Sequence, residues 1–195
     1  MDKKRQGLVT VFLALLVIAF TCLALFDLLN KKDLYTVEIS SCYELMEVEH
    51  SINGLIPMGK DYLYLGYDAS STAYIFKGSK SWYPKNFNAD GKPLTGSAVT
   101  VTALAKRLDY KVAREIGSSL SQAEGLNLAH SPDYSLEIDY KFRAIVRLIL
   151  VPIFILVIIA GKIIFDDNRG FSSTIKKVYL LILCVVLFAA LKFMF

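Results

Sequence analysis

The apolar residues of this chain gather in three long segments, one near its start and two near its end. Residues 8–26 contain no charged side chain. At about 1.5 Å per residue, a helix of this length covers about 28 Å, close to the thickness of the hydrocarbon core of a bilayer. Residues 145–165 and 178–195 form the second and third apolar segments. The pattern predicts three transmembrane helices.

The residues that flank these segments sharpen the prediction. A cleaved signal peptide is the alternative for the first segment, but the apolar run is longer than usual and Phe26–Asp27 offers no small-residue cleavage site. Arg147 and Lys162 flank the second segment, where long basic side chains can extend to the membrane interface. No Asp, Glu or His lies in the middle of any segment, which argues against a transporter or a proton pump. We therefore expect a retained anchor and a helical hairpin.

Between the first and second segments, shorter patterns predict β-strands. Alternation or enrichment in Tyr, Val, Ile and Leu occurs at five places, residues 36–39, 62–67, 73–77, 98–104 and 134–140. Along the last of these, the alternation predicts that Leu136 is buried and that Ser135 and Glu137 face solvent.

Two helices are predicted in the same region. Ser41 and Glu44 fit a capping box, and apolar residues at helical spacing follow as far as Asn53–Gly54. Residues 111–124 place a second apolar stripe on one helical face. The region is thus predicted to be an α+β extramembrane domain, with a small mixed or antiparallel sheet or barrel and about two helices.

The predicted organisation follows directly from these segments. It comprises a transmembrane anchor at 1–29, the α+β domain at 30–143, a second transmembrane helix at 144–165, a polar hairpin loop at 166–177 and a third transmembrane helix at 178–195. The connections between the domain and the helices are short, so we expect the domain to lie close to the membrane surface.

The charge distribution bears on partners and on topology. The net charge is +4, but residues 30–143 carry 13 basic and 14 acidic side chains, so the excess flanks the apolar segments. A nearly neutral domain argues against nucleic-acid binding. Three basic residues precede the first segment, whereas Lys31 and Lys32 follow it. The positive-inside rule then predicts a cytoplasmic N-terminus and an extracytoplasmic domain in a multi-pass cell-membrane protein.

Motifs for catalysis, cofactors or metals are absent from the sequence. No phosphate-binding glycine loop and no nucleophile elbow occurs, and the two histidines, His50 and His130, lack the spacing of a zinc site. The pattern assigns no catalytic, cofactor or metal-binding residue, and we expect no cofactor.

Two turns carry the clearest candidate surface. Residues 56–62 form a proline–glycine turn before a strand, and residues 81–87 surround the single tryptophan. The predicted interaction surface is formed by Lys60, Trp82, Tyr83, Lys85 and Phe87. The alternative interpretation is that Trp82 and Phe87 plug one end of the sheet.

The same turns, between one N-terminal and two C-terminal spans, give the chain a resemblance to known proteins. The pattern Ile-Pro-x-Gly-Lys-x-x-Tyr with a following Trp-x-x-x-x-Phe resembles small uncharacterised three-span membrane proteins of Gram-positive bacteria. That group has no known activity, so the resemblance implies a bacterial membrane protein and transfers no functional residue.

Three functional hypotheses follow. The first is a non-enzymatic interaction or scaffold module whose partners are the bilayer and a membrane protein or a second copy. The second is a membrane-bound hydrolase, or other enzyme, acting on envelope or lipid substrates through loop carboxylates and lysines, namely Asp61, Asp68 or Asp90 with Lys60 or Lys85. The third is a small subunit of a larger membrane complex.

Overall fold

A computed structural model describes residues 3–52, 56–120, 126–165 and 170–194, and these form two compact units. One unit combines Met1–Leu29 with Lys141–Phe195, and the other is Asn30–Tyr140. In chain order the elements are α1 (Lys3–Leu29), β1 (Leu34–Ile39), β2 (Ser41–Ile52), β3 (Ile56–Tyr67), β4 (Thr72–Gly78), α2 (Trp82–Asn86), β5 (Val99–Arg107), α3 (Tyr110–Leu120), β6 (Asn127–Leu128), β7 (Tyr134–Glu137), α4 (Tyr140–Ile164) and α5 (Ser173–Met194).

The helical unit contains two helices of membrane-spanning character. Within the described residues, α1 over Gly7–Leu29 and α4 over Tyr140–Ile164 are long and apolar enough to cross a membrane. The structure therefore supports two of the three predicted segments by length and composition. α5 is helical from Ser173, and its crossing of a membrane stays a prediction.

The helical unit is held together by a seam of buried side chains at alternating spacings of three and four residues. On α1 the seam includes Leu13, Leu16 and Phe20, and Phe20 meets Phe154 of α4 with ring centroids 5.5 Å apart. This spacing keeps one face of each helix against its neighbour. In helices that are apolar on all sides, the sequence does not show which face is the seam.

The second unit is built on a mixed sheet. The strand order is β1-β5-β7-β4-β3-β2, and β6 pairs with β4 outside this path. β4 runs parallel to β6 and β7, and the other pairs are antiparallel. The α+β prediction is confirmed, with seven described strands in place of about five. All five predicted strands are present, although the last ends at Glu137 and Tyr140 already belongs to α4.

The helix predicted from Ser41 is wrong, because this segment is the long strand β2. It pairs with β3 from Ser41 to Ile52, with bulges after Glu44 and after His50. A capping box contributes about 1 kcal/mol, and a strand that joins a sheet along its whole length gains more than that. The predicted helix end at residues 53–54 lies outside the described residues. The second helix is confirmed as α3, and residues 121–124 of that prediction are also outside them.

The sheet bends so that the end of β1 and the start of β2 lie close together at one corner. β1 and β2 stand at opposite ends of the strand order, yet only Ser40 separates them, and the Ser40 amide donates to the Tyr67 carbonyl at 2.8 Å. A Cβ on Gly66 would lie 3.1 Å from the Ile39 side chain and 2.7 Å from the Phe76 ring. Glycine is therefore required where β1 approaches β3 across the inner face. The sheet is therefore curved at this corner.

The two faces of the curled sheet carry different cores. The inner face is filled by Ile39, Cys42, Tyr64, Phe76, Phe87, Val101, Ala103 and Leu136. On the outer face, Ile116 of α3 packs against Leu63, Leu65 and Ile75. Side chains alternate between these faces along each strand, so neighbouring residues of β3 serve different environments.

Both chain ends of the domain leave the sheet at one place. Leu104 of β5 pairs with Leu34, where β1 begins, and with Glu137, where β7 ends. Residues 30–33 connect α1 to β1, and residues 138–139 connect β7 to α4. The two connections to the helical unit therefore begin on strands that flank the same residue.

Candidate functional site

The aromatic residues of the predicted interaction surface, Trp82, Tyr83 and Phe87, lie on the short helix α2 and directly after it. Tyr83 stacks on Tyr64 with ring centroids 5.7 Å apart, and Trp82 lies 5.3 Å from the same ring. Phe87 is only 2% exposed and belongs to the inner core. For Phe87 the structure supports the plug interpretation, because a buried ring offers nothing to a partner. Trp82 and Tyr83 remain half-buried.

Lys60 has a different environment on β3. Its ammonium contacts a Glu47 oxygen and lies 2.6 Å from Glu49 Oε1, both on β2. These hydrogen bonds, the one to Glu47 first, raise the pKa of Lys60 above its ordinary value, and the bond to Lys60 lowers the pKa of Glu47. All three groups are exposed, so solvent screens the network and it adds little to stability.

Tyrosine residues on β3 lie between Lys60 and the aromatic residues Trp82 and Tyr83. Tyr62 lies two residues along β3, and the Lys80 ammonium sits 5.8 Å from its ring centroid. Tyr64, two residues further, carries the contacts with Trp82 and Tyr83. We refer to Glu47, Glu49, Lys60, Tyr62 and Lys80 together as the Lys60 patch. The structure thus places Lys60 on the face that leads to Trp82 and Tyr83, and Lys85 is exposed on α2.

Asp61 points to the opposite face from Lys60. It was expected in a loop, but it lies within β3, opposite Val48, and is 7% exposed. Its Oδ2 is 2.8 Å from His50 Nε2 and 2.5 Å from Lys77 Nζ. A buried carboxylate is costly unless it is paired, and here an ammonium and an imidazole share one of its oxygens.

A second buried carboxylate continues this arrangement across the sheet. Glu137 is 2% exposed, and its Oε2 lies 2.6 Å from Lys106 Nζ. In the parallel pairing of β4 with β7, Lys77 and Glu137 are register partners. Charged or ionisable residues therefore follow one another on five neighbouring strands, which we call the charged row: His50, Asp61, Lys77, Glu137 and Lys106.

The prediction that Ser135 and Glu137 of β7 face solvent is wrong. Ser135 and Glu137 were expected to face solvent, yet both are as buried as Leu136 between them. The alternation along β7 is present, but both faces of this strand are covered. On β3, Asp61 shares the two-residue phase of Leu63 and Leu65, which are both buried in the structure.

The other carboxylates of the enzyme hypothesis have local roles. Asp68 Oδ1 accepts hydrogen bonds from the amides of Ser70 and Thr72 at 2.8 and 2.9 Å, which shapes the β3–β4 turn. These bonds, the one from Thr72 first, lower the pKa of Asp68. Asp90 is exposed in the loop after α2. Within the described part of the chain, no three His, Cys, Asp or Glu side chains converge as metal ligands.

One buried ion pair was not anticipated from the sequence. Arg147 of α4 donates to Asp27 Oδ2 of α1 at 2.5 Å, and both residues are almost fully buried. Arg147 was expected to extend to the membrane interface, but it is held inside the helical unit. Asp27 follows Phe20 by seven residues, and Arg147 precedes Phe154 by seven. The pair thus continues the Phe20–Phe154 seam. The sequence did not reveal it, because the seam face of these apolar helices is visible only in the structure.

Comparison of the chain with protein-family models, with curated proteins and with solved structures found no match.

Proposed function

We propose that this chain is a multi-pass cell-membrane protein whose curled-sheet domain is a non-enzymatic interaction module held close to the bilayer. α1 and α4 have the length and composition of spans, and the third apolar segment supplies a further one in α5. The N-terminus is cytoplasmic and the domain extracytoplasmic, in keeping with the basic residues before the first apolar segment and with the resemblance to membrane proteins of Gram-positive bacteria.

The observation that carries the proposal is the way the domain is tethered. Its two connections, residues 30–33 and 138–139, begin on strands that flank Leu104. Each is too short to let the domain move far from the membrane. The buried pair of Asp27 and Arg147 fixes α1 against α4. A domain held at one place by two short connections suits the presentation of a surface better than a reaching, linker-borne role.

The Lys60 patch is the surface that we assign to partner binding. It combines the half-buried Tyr62 with exposed charges of both signs, next to the half-buried Trp82 and Tyr83. Aromatic residues are enriched at protein interfaces, and polar and charged groups form the rim around them. The inner face behind this patch is filled by Tyr64, Phe76 and Phe87, which favours binding at the rim of the sheet.

A hydrolase remains the second candidate, favoured by one contact. His50 Nε2 is 2.8 Å from Asp61 Oδ2, the geometry in which a carboxylate orients an imidazole as a general base. The same Asp61 oxygen also binds Lys77, so the carboxylate already has a structural partner. We therefore rank the interaction module first.

Site-specific photo-crosslinking in intact cells tests the interaction module. A benzophenone amino acid is placed at Lys80 in the patch, or at Ser119 on α3 as the matched exposed control. We expect a discrete protein adduct from position 80 only, and its loss when Lys60→Glu is added. Adducts of equal yield from both positions, or an adduct insensitive to Lys60→Glu, would overturn the assignment of the surface.

A further inference from the structure

An apolar groove runs between α4 and α5 and has no role in the proposed interaction surface. Its volume is about 400 Å³. The lining is almost entirely aliphatic and includes Ile153, Leu156, Ala160 and Ile164 of α4 with Val178 and Ile182 of α5. Such a groove requires an apolar occupant.

The floor of the groove is shaped by Tyr179 and Gly161. A Cβ on Gly161 would collide with the Tyr179 hydroxyl, so glycine lets the two helices meet here. The Tyr179 hydroxyl donates to the Val157 carbonyl at 3.0 Å, which satisfies this polar group beside the groove. This contact brings α4 and α5 together along one line and leaves the aliphatic channel beside it.

The length of the groove matches one leaflet of a bilayer. Its lining on α4 extends from Ile153 to Ile164, a distance of about 16 Å at about 1.5 Å per residue. Half of the hydrocarbon core is about 15 Å thick. An acyl chain from a single leaflet therefore fits the groove better than a full transmembrane helix does.

Three lysines lie near the end of α4 and the start of α5, which both contribute to the groove. Lys176 and Lys177 lie in the first turn of α5, which contains no acidic residue, and Lys162 lies in the last turn of α4. Lysines at a helix N-terminus add to the positive end of the helix dipole, and a bound anion relieves that conflict. The Lys176 ammonium is 5.9 Å from the Phe165 ring centroid, beside the mouth formed by Thr174 and Ile175.

We propose that this groove binds one acyl chain of an anionic glycerophospholipid, with the lipid phosphate at Lys176 and Lys177. The aliphatic lining holds the chain, and the basic mouth selects the headgroup. The inference depends on the membrane location proposed above but not on the Lys60 patch.

Native mass spectrometry of the purified full-length protein in detergent provides the test. The probes are palmitoyl-oleoyl phosphatidylglycerol and the zwitterionic phosphatidylcholine with the same chains. We expect phosphatidylglycerol to be retained about tenfold better, since each lysine near an anionic headgroup contributes a several-fold preference. Lys176→Gln with Lys177→Gln should abolish the preference, whereas the control Lys31→Gln with Lys32→Gln should keep it.

A second variant separates the chain-binding step. Ala160→Phe fills the groove and should reduce retention of both lipids, and Ile149→Phe on an exposed face of α4 is its control. If Ala160→Phe fails to fold, Ile182→Phe gives the same test from α5. Equal retention of the two lipids, unchanged retention in both groove variants, or dimers that displace lipid would overturn the proposal. Carbonate extraction of cell membranes tests membrane integration separately.

Discussion

The helical unit and the sheet domain both rely on ion pairs, but they place them in opposite environments. Asp27 and Arg147 are almost fully buried between helices, whereas Lys60 meets Glu47 and Glu49 at an exposed rim. The charged row lies between these extremes, since Asp61 is buried while Lys77 and His50 reach solvent in part. Burial decides whether an ion pair is a structural necessity or a screened surface contact. The same chemistry therefore fixes helices in one region and leaves side chains available for a partner in the other.

The largest effect is expected when one charge is removed from the buried Asp27–Arg147 ion pair. Asp27→Asn leaves Arg147 without its buried counter-charge, and the expected loss is about 3–5 kcal/mol of unfolding free energy. Unfolding of the full-length protein in mixed micelles with increasing SDS measures it. Lys162→Gln, at the end of α4, is the control and should change little.

A double variant distinguishes charge from packing. Asp27→Leu combined with Arg147→Met replaces both charges with apolar groups, and stability should return to near the wild-type value. A double variant as unstable as Asp27→Asn alone would show that the loss comes from the missing ion pair itself and not from the uncompensated charge of Arg147.

The charged row should give an intermediate effect. Glu137→Gln removes a buried negative charge that lies 2.6 Å from Lys106, and we expect a loss of about 2–3 kcal/mol. Thermal unfolding followed by circular dichroism at β-sheet wavelengths measures it. The matched control is Glu115→Gln on the exposed side of α3, and equal effects of the two variants would contradict a structural role for the row.

In the exposed Lys60 patch, removal of a charge should hardly change stability but should reduce partner binding. Lys60→Ala should leave the thermal unfolding temperature within experimental error, because solvent and salt already screen its contacts with Glu47 and Glu49. The same change should reduce the yield of the crosslinked adduct from position 80. A large drop in unfolding temperature would show that Lys60 supports the fold, and would remove the reason to treat the patch as free for binding.

The sequence predicted those features that depend on local pattern. Apolar length placed α1 and α4, two-residue alternation placed β5, and enrichment in Tyr, Leu, Ile and Phe placed parts of β3 and β4. It did not predict β2, because the capping box of Ser41 and Glu44 is a local preference and the pairing with β3 is a long-range one. The buried partners of Asp61 and Glu137 come from strands distant in the chain, so no local pattern records them.

The candidate surface was predictable only in part, for the same reason. Lys60 and the Trp82 turn were noticed separately as unusual composition. Lys60, Tyr62 and Tyr64 lie on one face of β3 because side chains alternate along a strand. Tyr64 contacts Trp82 and Tyr83, so Lys60 and the Trp82 turn lie on the same face of the sheet. Phe87 could not be recognised as buried, because a lone aromatic residue in a loop is equally consistent with a plug and with a surface.

The smallest expected effect concerns the acid stability of an exposed turn. The amides of Thr72 and Ser70 lower the pKa of Asp68 from its ordinary value of 3.8. A lowered folded-state pKa gives stability that is present above the unfolded-state value and is lost as the pH falls through the folded-state value. Asp68→Asn keeps the shape of the turn and removes the charge. Wild type should therefore be slightly more stable than the variant near neutral pH, and the difference should shrink as the pH falls below 3.8 and through the lowered folded-state pKa.

Thermal unfolding of both proteins between neutral and acidic pH measures this difference, with Asp90→Asn as the matched exposed carboxylate. A difference that is the same at every pH would show that Asp68 acts through turn geometry alone. In that case the charge of Asp68 would contribute as little to stability as the exposed ion pairs of the Lys60 patch, because solvent screens both. The rule that exposed charges add little to stability would then hold also for a single carboxylate bound by backbone amides.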